Sequence, residues 1–206
     1  MKEKIILFTR VPKEGTTKTR LYDFMSPTEA VNIQKKLLKK NYNLLAETNR
    51  ELLVCHDGNS SDDKEMAELI SCDKFYYQKG DNLGDKMYNA LEEVISDSKV
   101  ILLGSDIFNL DRDIIEEAFE KLETHDIVIN PSEDGGYFLI GMKKAIKEVF
   151  DLPSYGDSSV LENLIKVLEK SNLTYYLGRA ALDIDIKEDL LYAETGYKNI
   201  KLLGAG

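Results

Sequence analysis

Hydrophobic and polar positions alternate between two periods along this chain. Short, nearly unbroken apolar runs, KIILFT (4–9), ELLVCH (51–56) and KVILLG (99–104), read as buried strands. KFYYQ (74–78) and TYYL (174–177) read as shorter ones, and DIVINP (126–131) with GYFLIGM (136–142) as two strands joined by a turn. Between them lie segments with helical spacing. SPTEAVNIQKKLLKKNYNLLAE (26–47) opens with Ser26 as a cap, Pro27 in the first turn and Glu29 to complete a capping box. DDKEMAELI (62–70), LGDKMYNALEEVISD (83–97) and DRDIIEEAFEKLE (111–123) follow. In the second of these, Leu83, Met87, Leu91 and Val94 share one face. KKAIKEVF (143–150) and SSVLENLIKVLEKS (158–171) also read as helical. DIDIKEDLLYAE (183–194) closes the ordered chain, and KNIKLLGAG (198–206) reads as a loose tail.

Strands alternating with helices predict an α/β protein with a mainly parallel, Rossmann-like sheet and helices on both faces. Right-handed crossovers place every strand-to-helix loop at the carboxyl edge of that sheet, where ligands bind near the topological switch point. The length of 206 residues suits a single domain, 1–206.

Composition narrows the function. The formal net charge is −10, which excludes a nucleic-acid partner, since a phosphate-tracking groove needs a basic face. No apolar stretch reaches the ~20 residues of a membrane span, and the first apolar run leads straight into charged residues, so a signal peptide is not expected. Cys55 and Cys72 lack metal or redox spacing and read as reduced core cysteines of a cytoplasmic protein. No heptad seam indicates an oligomeric state.

Against that acidic background, the loop after the first strand, RVPKEGTTKTR (10–20), gathers Arg10, Lys13, Lys18 and Arg20 around Gly15. It lacks the spacing of a P-loop or of GxGxxG. Gly15 lets backbone amides approach a ligand, and Lys18 and Arg20 offer charge-assisted bonds to phosphate oxygens. The alternative is a solvated basic loop. In VILLGSDIFNL (100–110), Asp106 stands at the carboxyl edge, where it either holds a divalent cation bridging nucleotide phosphates or forms an Asx turn. Asp134-Gly135-Gly136 is by default a hairpin turn, and otherwise a substrate loop with Asp134 facing an acceptor or sugar. Asp183 and Asp185 share a face of an extended segment. Either is a second metal ligand if the segment returns to Asp106, and Asp185 alternatively caps a helix. Lys86 lies one turn into a helix whose start, at Asp81 or Asn82, favours anions. His56 and His125 have no nucleophile at readable spacing and read as structural. Glu92/Glu93 and Glu116/Glu117 read as solvated helix faces.

FTRVPKEGTTKTRL, QKGDNLGDKM, VILLGSD, NPSEDGGYFLIG and DIDIKEDL occur in this order. In this the chain resembles the small bacterial radical-SAM/selenodomain-associated transferase 1 family, within the GT-A-type nucleotide-diphospho-sugar transferase superfamily. It is more remotely similar to guanylyltransferases of the phospholactate type. The resemblance covers about residues 4–190 and implies a three-layer α/β/α sandwich. It implies phosphate binding by Arg10, Lys18 and Arg20, and Mg²⁺ or Mn²⁺ on Asp106 with Asp185 or Asp183. An acceptor or sugar loop of Asp134, Gly135, Gly136 and Tyr137 follows. Two departures stand out. Ile107–Phe108 replaces the x-Pro usual after GSD, and SYGDSSV stands where a Trp-containing stretch is usual, in a chain without Trp.

The reading that results is a metal-dependent transferase with a nucleotide or nucleotide-sugar donor and a small-molecule acceptor. Glycosyl transfer, with Asp134 as the acceptor base, is the first expectation. The alternatives are nucleotidyl transfer from a nucleoside triphosphate to a phosphorylated small molecule, and a non-catalytic nucleotide-binding regulator.

Overall fold

The structure is a computed structural model and describes residues 1–195; the 198–206 tail lies outside the described residues. Seven strands and six α-helices follow one another among the described residues. The first half holds β1 (Lys2–Thr9), α1 (Pro27–Ala46), β2 (Glu51–His56), α2 (Asp63–Ile70), β3 (Phe75–Tyr77) and α3 (Leu83–Val94). The second holds β4 (Ser98–Gly104), α4 (Arg112–Lys121), β5 (Ile127–Pro131), β6 (Tyr137–Met142), α5 (Val160–Lys170), β7 (Tyr175–Leu177) and α6 (Lys187–Thr195). All seven strands form one sheet in the order β3-β2-β1-β4-β6-β5-β7. Every pairing is parallel except those of β6, which runs antiparallel to both β4 and β5. The expected three-layer, mainly parallel α/β fold is therefore what the chain adopts.

Alternation along β1 explains the layers. Ile5 and Leu7 point into a core with α1, α2 and α4, where Leu38, Met66 and Phe119 are buried. Ile6 points into the opposite core with α3 and α5, where Leu91, Leu164 and Leu168 are fully covered. The strands are buried on both faces, so their sequences are unbroken apolar runs. The chain winds from β1 to β2 and β3 on one side, then crosses to β4 on the other. The loops after β1 and β4 therefore diverge and open a crevice between them.

α1 starts as its sequence predicts: Ser26 accepts from the Glu29 amide, and the Glu29 carboxylate accepts from the Ser26 amide. Residues 143–150 depart from the expected helix, with only a 3-10 turn at Lys147–Val149. The segment leaves β6 with no side-chain cap, and eight residues are too few to sustain a helix by propensity. Burial of Val149 and Phe150 sets its path instead. Glu116 also departs from a plain solvated face. Arg50 grips its carboxylate with two bonds of 2.9 and 2.7 Å, and those bonds hold its pKa down at about 2. Cys55 and Cys72 are free and buried. Among the described residues, no helix is long and apolar enough to cross a membrane.

Candidate functional site

A cleft of about 680 Å³ lies over the carboxyl edge of the sheet, within the ~300–1,000 Å³ usual for small-molecule sites. One half is built by the β1 loop, the end of β2 and residues 78–87, contributing Arg10, Lys18, Arg20 and Lys86. The other half is built by the β4 end, the β5–β6 turn and residues 183–185, contributing Asp106, Asp134, Tyr137, Asp183 and Asp185. The expected site residues thus meet in one place, with three exceptions: Gly15, Gly135 and Gly136 do not line the cleft.

The reasons for those exceptions are local. The β1 loop closes on itself. The Lys13 amide donates to Thr17 Oγ1 at 2.9 Å, the Lys13 ammonium pairs with Asp62 at 2.5 Å, and the Gly15 amide donates to the Tyr22 hydroxyl at 2.8 Å. The Gly15 amide is therefore spent inside the protein. Gly135, at φ +90°, is pressed against the next loop, where an added Cβ would stand 2.4 Å from the Ser158 carbonyl oxygen. Its missing side chain makes room for protein. Asp134 is held in the turn, its Oδ1 accepting from the Ser132 hydroxyl at 2.5 Å and the Gly136 amide at 2.9 Å. This is the Asx-type geometry of an ordinary hairpin turn.

The floor of the cleft is an ion pair. Lys18, in left-handed conformation at φ 47°, buries its side chain to 2% exposure and places Nζ 2.8 Å from Asp106 Oδ2. The same ammonium donates to the Ile184 carbonyl. A non-glycine residue in that conformation costs on the order of 1 kcal/mol, a strain that functional sites commonly hold. Asp106 Oδ1 accepts from the Gln34 amide at 2.6 Å and the Ser105 hydroxyl at 2.9 Å. Burial pushes the Asp106 carboxyl up, but the Lys18 charge, with bonds from Lys18, Gln34 and Ser105, holds it below the ordinary value. Its side chain keeps 41% exposure and lines the cleft.

Above this floor runs the segment 182–184, antiparallel to the β4 loop. The Phe108 amide donates to the Leu182 carbonyl at 2.8 Å, and the Ile184 amide to the Asp106 carbonyl at 3.2 Å. Asp183 is thereby bridged to Ile107, and both Asp183 and Asp185 return to the Asp106 edge. Burial raises the Asp183 pKa to about 6, with the charges of Asp134, Asp189 and Asp185 adding to it. Asp185 pairs with Arg20 at 2.6 Å, both partly exposed. Asp189 Oδ2 takes the amides of Asp185 and Ile186 just before α6.

Two buried polar residues of α1 belong to the site without having been expected there. Gln34 holds Asp106 and Ser105, and Asn41 donates to the Ser105 and Ile107 carbonyls, both at 2.9 Å. The readable signal was their position. They interrupt an otherwise apolar stripe of Ala30, Val31, Leu37, Leu38 and Leu45. On the opposite side Gln78 fixes the Thr9 carbonyl at 2.9 Å, and Asp57 accepts from the Val11 amide at 2.8 Å. His56 is structural as read, fully buried between Asp63, the Gly58 amide and the rings of Phe75 and Tyr77.

The oxygen donors Asp106, Asp183 and Asp185 suit a hard divalent cation in kind. As they stand, no three acidic, His or Cys side chains among the described residues are grouped to hold a metal. Lys18 and Arg20 take the cation positions at Asp106 and Asp185.

Residues 39–157 match a family described as an uncharacterized protein conserved in bacteria, DUF2064. The chain belongs to the DUF2064 family. This DUF2064 protein is 30% identical to 2-phospho-L-lactate guanylyltransferase of Methanocaldococcus sp. (strain FS406-22), over 93% of this chain and 84% of the relative. It is 30% identical to the enzyme of that name from Methanocaldococcus jannaschii, over 92% and 81%. A solved structure from Desulfovibrio desulfuricans G20, described as that of a nucleotide-diphospho-sugar transferase, superposes at a TM-score of 0.87 with 27% identity. That superposition covers 98% of this DUF2064 chain and 91% of the other.

Proposed function

We propose that this protein is a metal-dependent nucleotidyltransferase, a single catalytic domain that joins a nucleoside monophosphate to a phosphorylated small molecule. That it is a nucleotide-dependent transferase follows from its homology to guanylyltransferases along nearly the whole chain. The observation that carries the finer reading is the cluster of four cations, Arg10, Lys18, Arg20 and Lys86, on the β1 side of the cleft, accompanied there by Asp57 and Asp81 and facing Asp106, Asp134, Asp183 and Asp185 on the β4 side. A triphosphate needs more cationic contacts than a diphosphate, and four cations line one half. Guanine is the first candidate base, from the names of the relatives. The motif resemblance to radical-SAM/selenodomain-associated transferase 1 supports a finer grouping within the superfamily. Two free, buried cysteines fit a reducing cytoplasmic setting.

The chemistry then runs as follows. The donor phosphates lie against Arg10, Lys18, Arg20 and Lys86, which stabilise negative charge as it moves toward the leaving pyrophosphate. The acceptor phosphate attacks the α-phosphorus in line, and no base is needed, because a phosphate is already ionised at neutral pH. Asp106 with Asp183 or Asp185 would hold Mg²⁺ or Mn²⁺, which supplies further charge neutralisation at the phosphates. Gln34 and Ser105 orient Asp106 for that task.

Glycosyl transfer, the first expectation, becomes the second reading. The description of the Desulfovibrio structure favours it. Against it stands Asp134, the candidate base, whose Oδ1 is already engaged by Ser132 and Gly136.

The test is a thermal-shift panel of GTP, CTP, ATP, UTP and the matching diphosphate sugars, each with and without Mg²⁺. Pyrophosphate release is then followed with phosphorylated hydroxy acids as acceptors. A ligand at a hundredfold excess over its Kd stabilises the folded state by about 2.7 kcal/mol. The expected result is a metal-dependent shift for one triphosphate, lost in Asp106→Asn, and pyrophosphate release with an acceptor. A shift confined to diphosphate sugars would transfer the assignment to glycosyl transfer.

A further inference from the structure

We propose that the two ion pairs spanning the cleft, Lys18–Asp106 and Arg20–Asp185, mask the metal carboxylates until a metal–polyphosphate complex arrives and exchanges both. The proposal rests on the nucleotide-transferase reading above. In the exchange the divalent cation takes Asp106 and Asp185, and the polyphosphate oxygens take Lys18 and Arg20. Two cation–anion contacts break and two classes of cation–anion contact form. Every charge of the two pairs has an opposite charge before and after the exchange, which matters most for Lys18, at 2% exposure, because an unpaired buried charge is far more costly than a paired one. The ligand this site selects is therefore the divalent-cation complex of a nucleoside polyphosphate, in preference to free metal or metal-free nucleotide.

Four observations support it. Two of the four cations expected to bind phosphate, Lys18 and Arg20, are each paired with a carboxylate expected to bind metal, at 2.8 and 2.6 Å. Both carboxylates remain open to the cleft, at 41% and 42% side-chain exposure, so an incoming cation can reach them. Asp183, lying between them in sequence and lining the same cleft, forms no ion pair among the described residues. A position for added positive charge therefore exists beside both pairs. Finally, the amide of Gln34 and the hydroxyl of Ser105 hold Asp106 Oδ1 independently of Lys18, so the carboxylate keeps its place when Lys18 moves. Two other paired cations with largely buried side chains do not line the cleft: Lys99 sits at the start of β4 with Glu3 and Glu123, and Arg50 just before β2 with Glu3 and Glu116. Those pairs have no ligand to exchange with.

The masking makes a prediction of unusual sign: removing a phosphate-binding cation should improve binding of metal alone. The full chain without nucleotide is titrated with MnCl₂, free Mn²⁺ being read by electron paramagnetic resonance. Salt is kept at about 0.15 M, where charges beyond ~8 Å are screened. Lys18→Met is expected to tighten Mn²⁺ about tenfold or more, as a buried partner is removed. Arg20→Gln is expected to tighten it about two- to fivefold, since exposed pairs are weaker. Lys86→Met removes a cation that lines the same cleft without a carboxylate partner, and should leave Mn²⁺ affinity unchanged within about twofold. Metal-free GTP, measured in EDTA, should weaken in all three variants. Unchanged or weaker Mn²⁺ binding in Arg20→Gln, a half-exposed substitution that leaves the core intact, overturns the masking even if Lys18→Met fails to fold. An equal gain in Lys86→Met also overturns it, because the effect would then be general electrostatics. Failure of the nucleotide reading has a separate signature, namely no GTP binding by the wild type at any metal concentration while the Mn²⁺ order of variants still holds.

Discussion

At the scale of single residues, the site combines groups in opposite electrostatic states. Asp106 is held ionised by Lys18 at 2.8 Å, whereas Asp183 faces other carboxylates and its pKa rises to about 6. The sign of the consequence follows from linkage. A carboxyl that binds its proton more tightly when folded adds stability below its unfolded pKa, and loses that advantage as pH rises through the folded value. Asp183 should therefore cost nothing below about pH 4 and exert its full penalty above about pH 6, of roughly 2 to 3 kcal/mol at 1.36 kcal/mol per unit. Urea unfolding of Asp183→Asn across that window checks it. The variant should exceed the wild type in stability at pH 8 and match it at about pH 3.5. Equal curves at pH 8 would mean that the carboxyl is solvated. At neutral pH the same substitution should impair metal-dependent activity, the trade expected where a strained group is kept for function. Sequence spacing placed Asp183 and Asp185 on one face but left their roles unseparated. Their difference lies in their surroundings: Asp185 pairs with Arg20 from the loop after β1, whereas Asp183 is buried, with the charges of Asp134 on the β5–β6 turn and of Asp189 and Asp185 nearby.

At the scale of elements, most of the architecture was legible because two signals agreed. β1, β2 and β4 were readable as apolar runs bounded by charge, and α1 by its capping box. The segment 143–150 was misread because its apolar residues fit a helical period, while its actual shape is set by Val149 and Phe150 entering the core between β6 and α5. The roles of the glycines were only partly readable. Gly15 serves its loop's left-handed turn, at φ +82°, and Gly135 its packing against Ser158, whereas Gly104, at the end of β4, borders the cleft and would meet no atom within 4 Å if it carried a Cβ. The space beside it opens to the cleft. Gly104→Val is thus expected to fold with a stability within about 1 kcal/mol of wild type, valine being a good strand residue. It should nonetheless lose GTP binding by tenfold or more, about 1.4 kcal/mol. Paired thermal melts with and without Mg²⁺ and GTP measure both quantities. A melt that collapses without ligand would show that the position is packed rather than open.

At the scale of the whole molecule, an acidic body holds two of its four cleft cations, Lys18 and Arg20, in ion pairs. In sequence, the four cations of the first loop read either as a cluster that meets phosphates, through Arg10, Lys18 and Arg20, or as a solvated basic loop. Folding instead pairs Lys13 with Asp62, Lys18 with Asp106 and Arg20 with Asp185. None of these pairings is local in sequence, since the carboxylates come from the β2–α2 connection, the β4 loop and the segment before α6. The field that a nucleotide meets at a distance is then that of the net charge of −10, and the cations act only on contact. This fixes how association responds to salt. At about 0.01 M ionic strength the Debye length is ~30 Å, so the body repels an approaching nucleotide, whereas at about 0.15 M it is ~8 Å and that repulsion is screened. The association rate of a fluorescent GTP analogue in stopped flow should therefore rise over this range, the reverse of the fall seen at sites with an exposed basic field. The dissociation rate should rise as well, because contacts inside the cleft are also weakened, so the equilibrium constant changes less than either rate. An association rate that instead falls steadily with salt would mean that Arg10 and Lys86 at the cleft mouth dominate the approach. In that case the pairing of Lys18 and Arg20 would matter for what the cleft holds and not for how it is found.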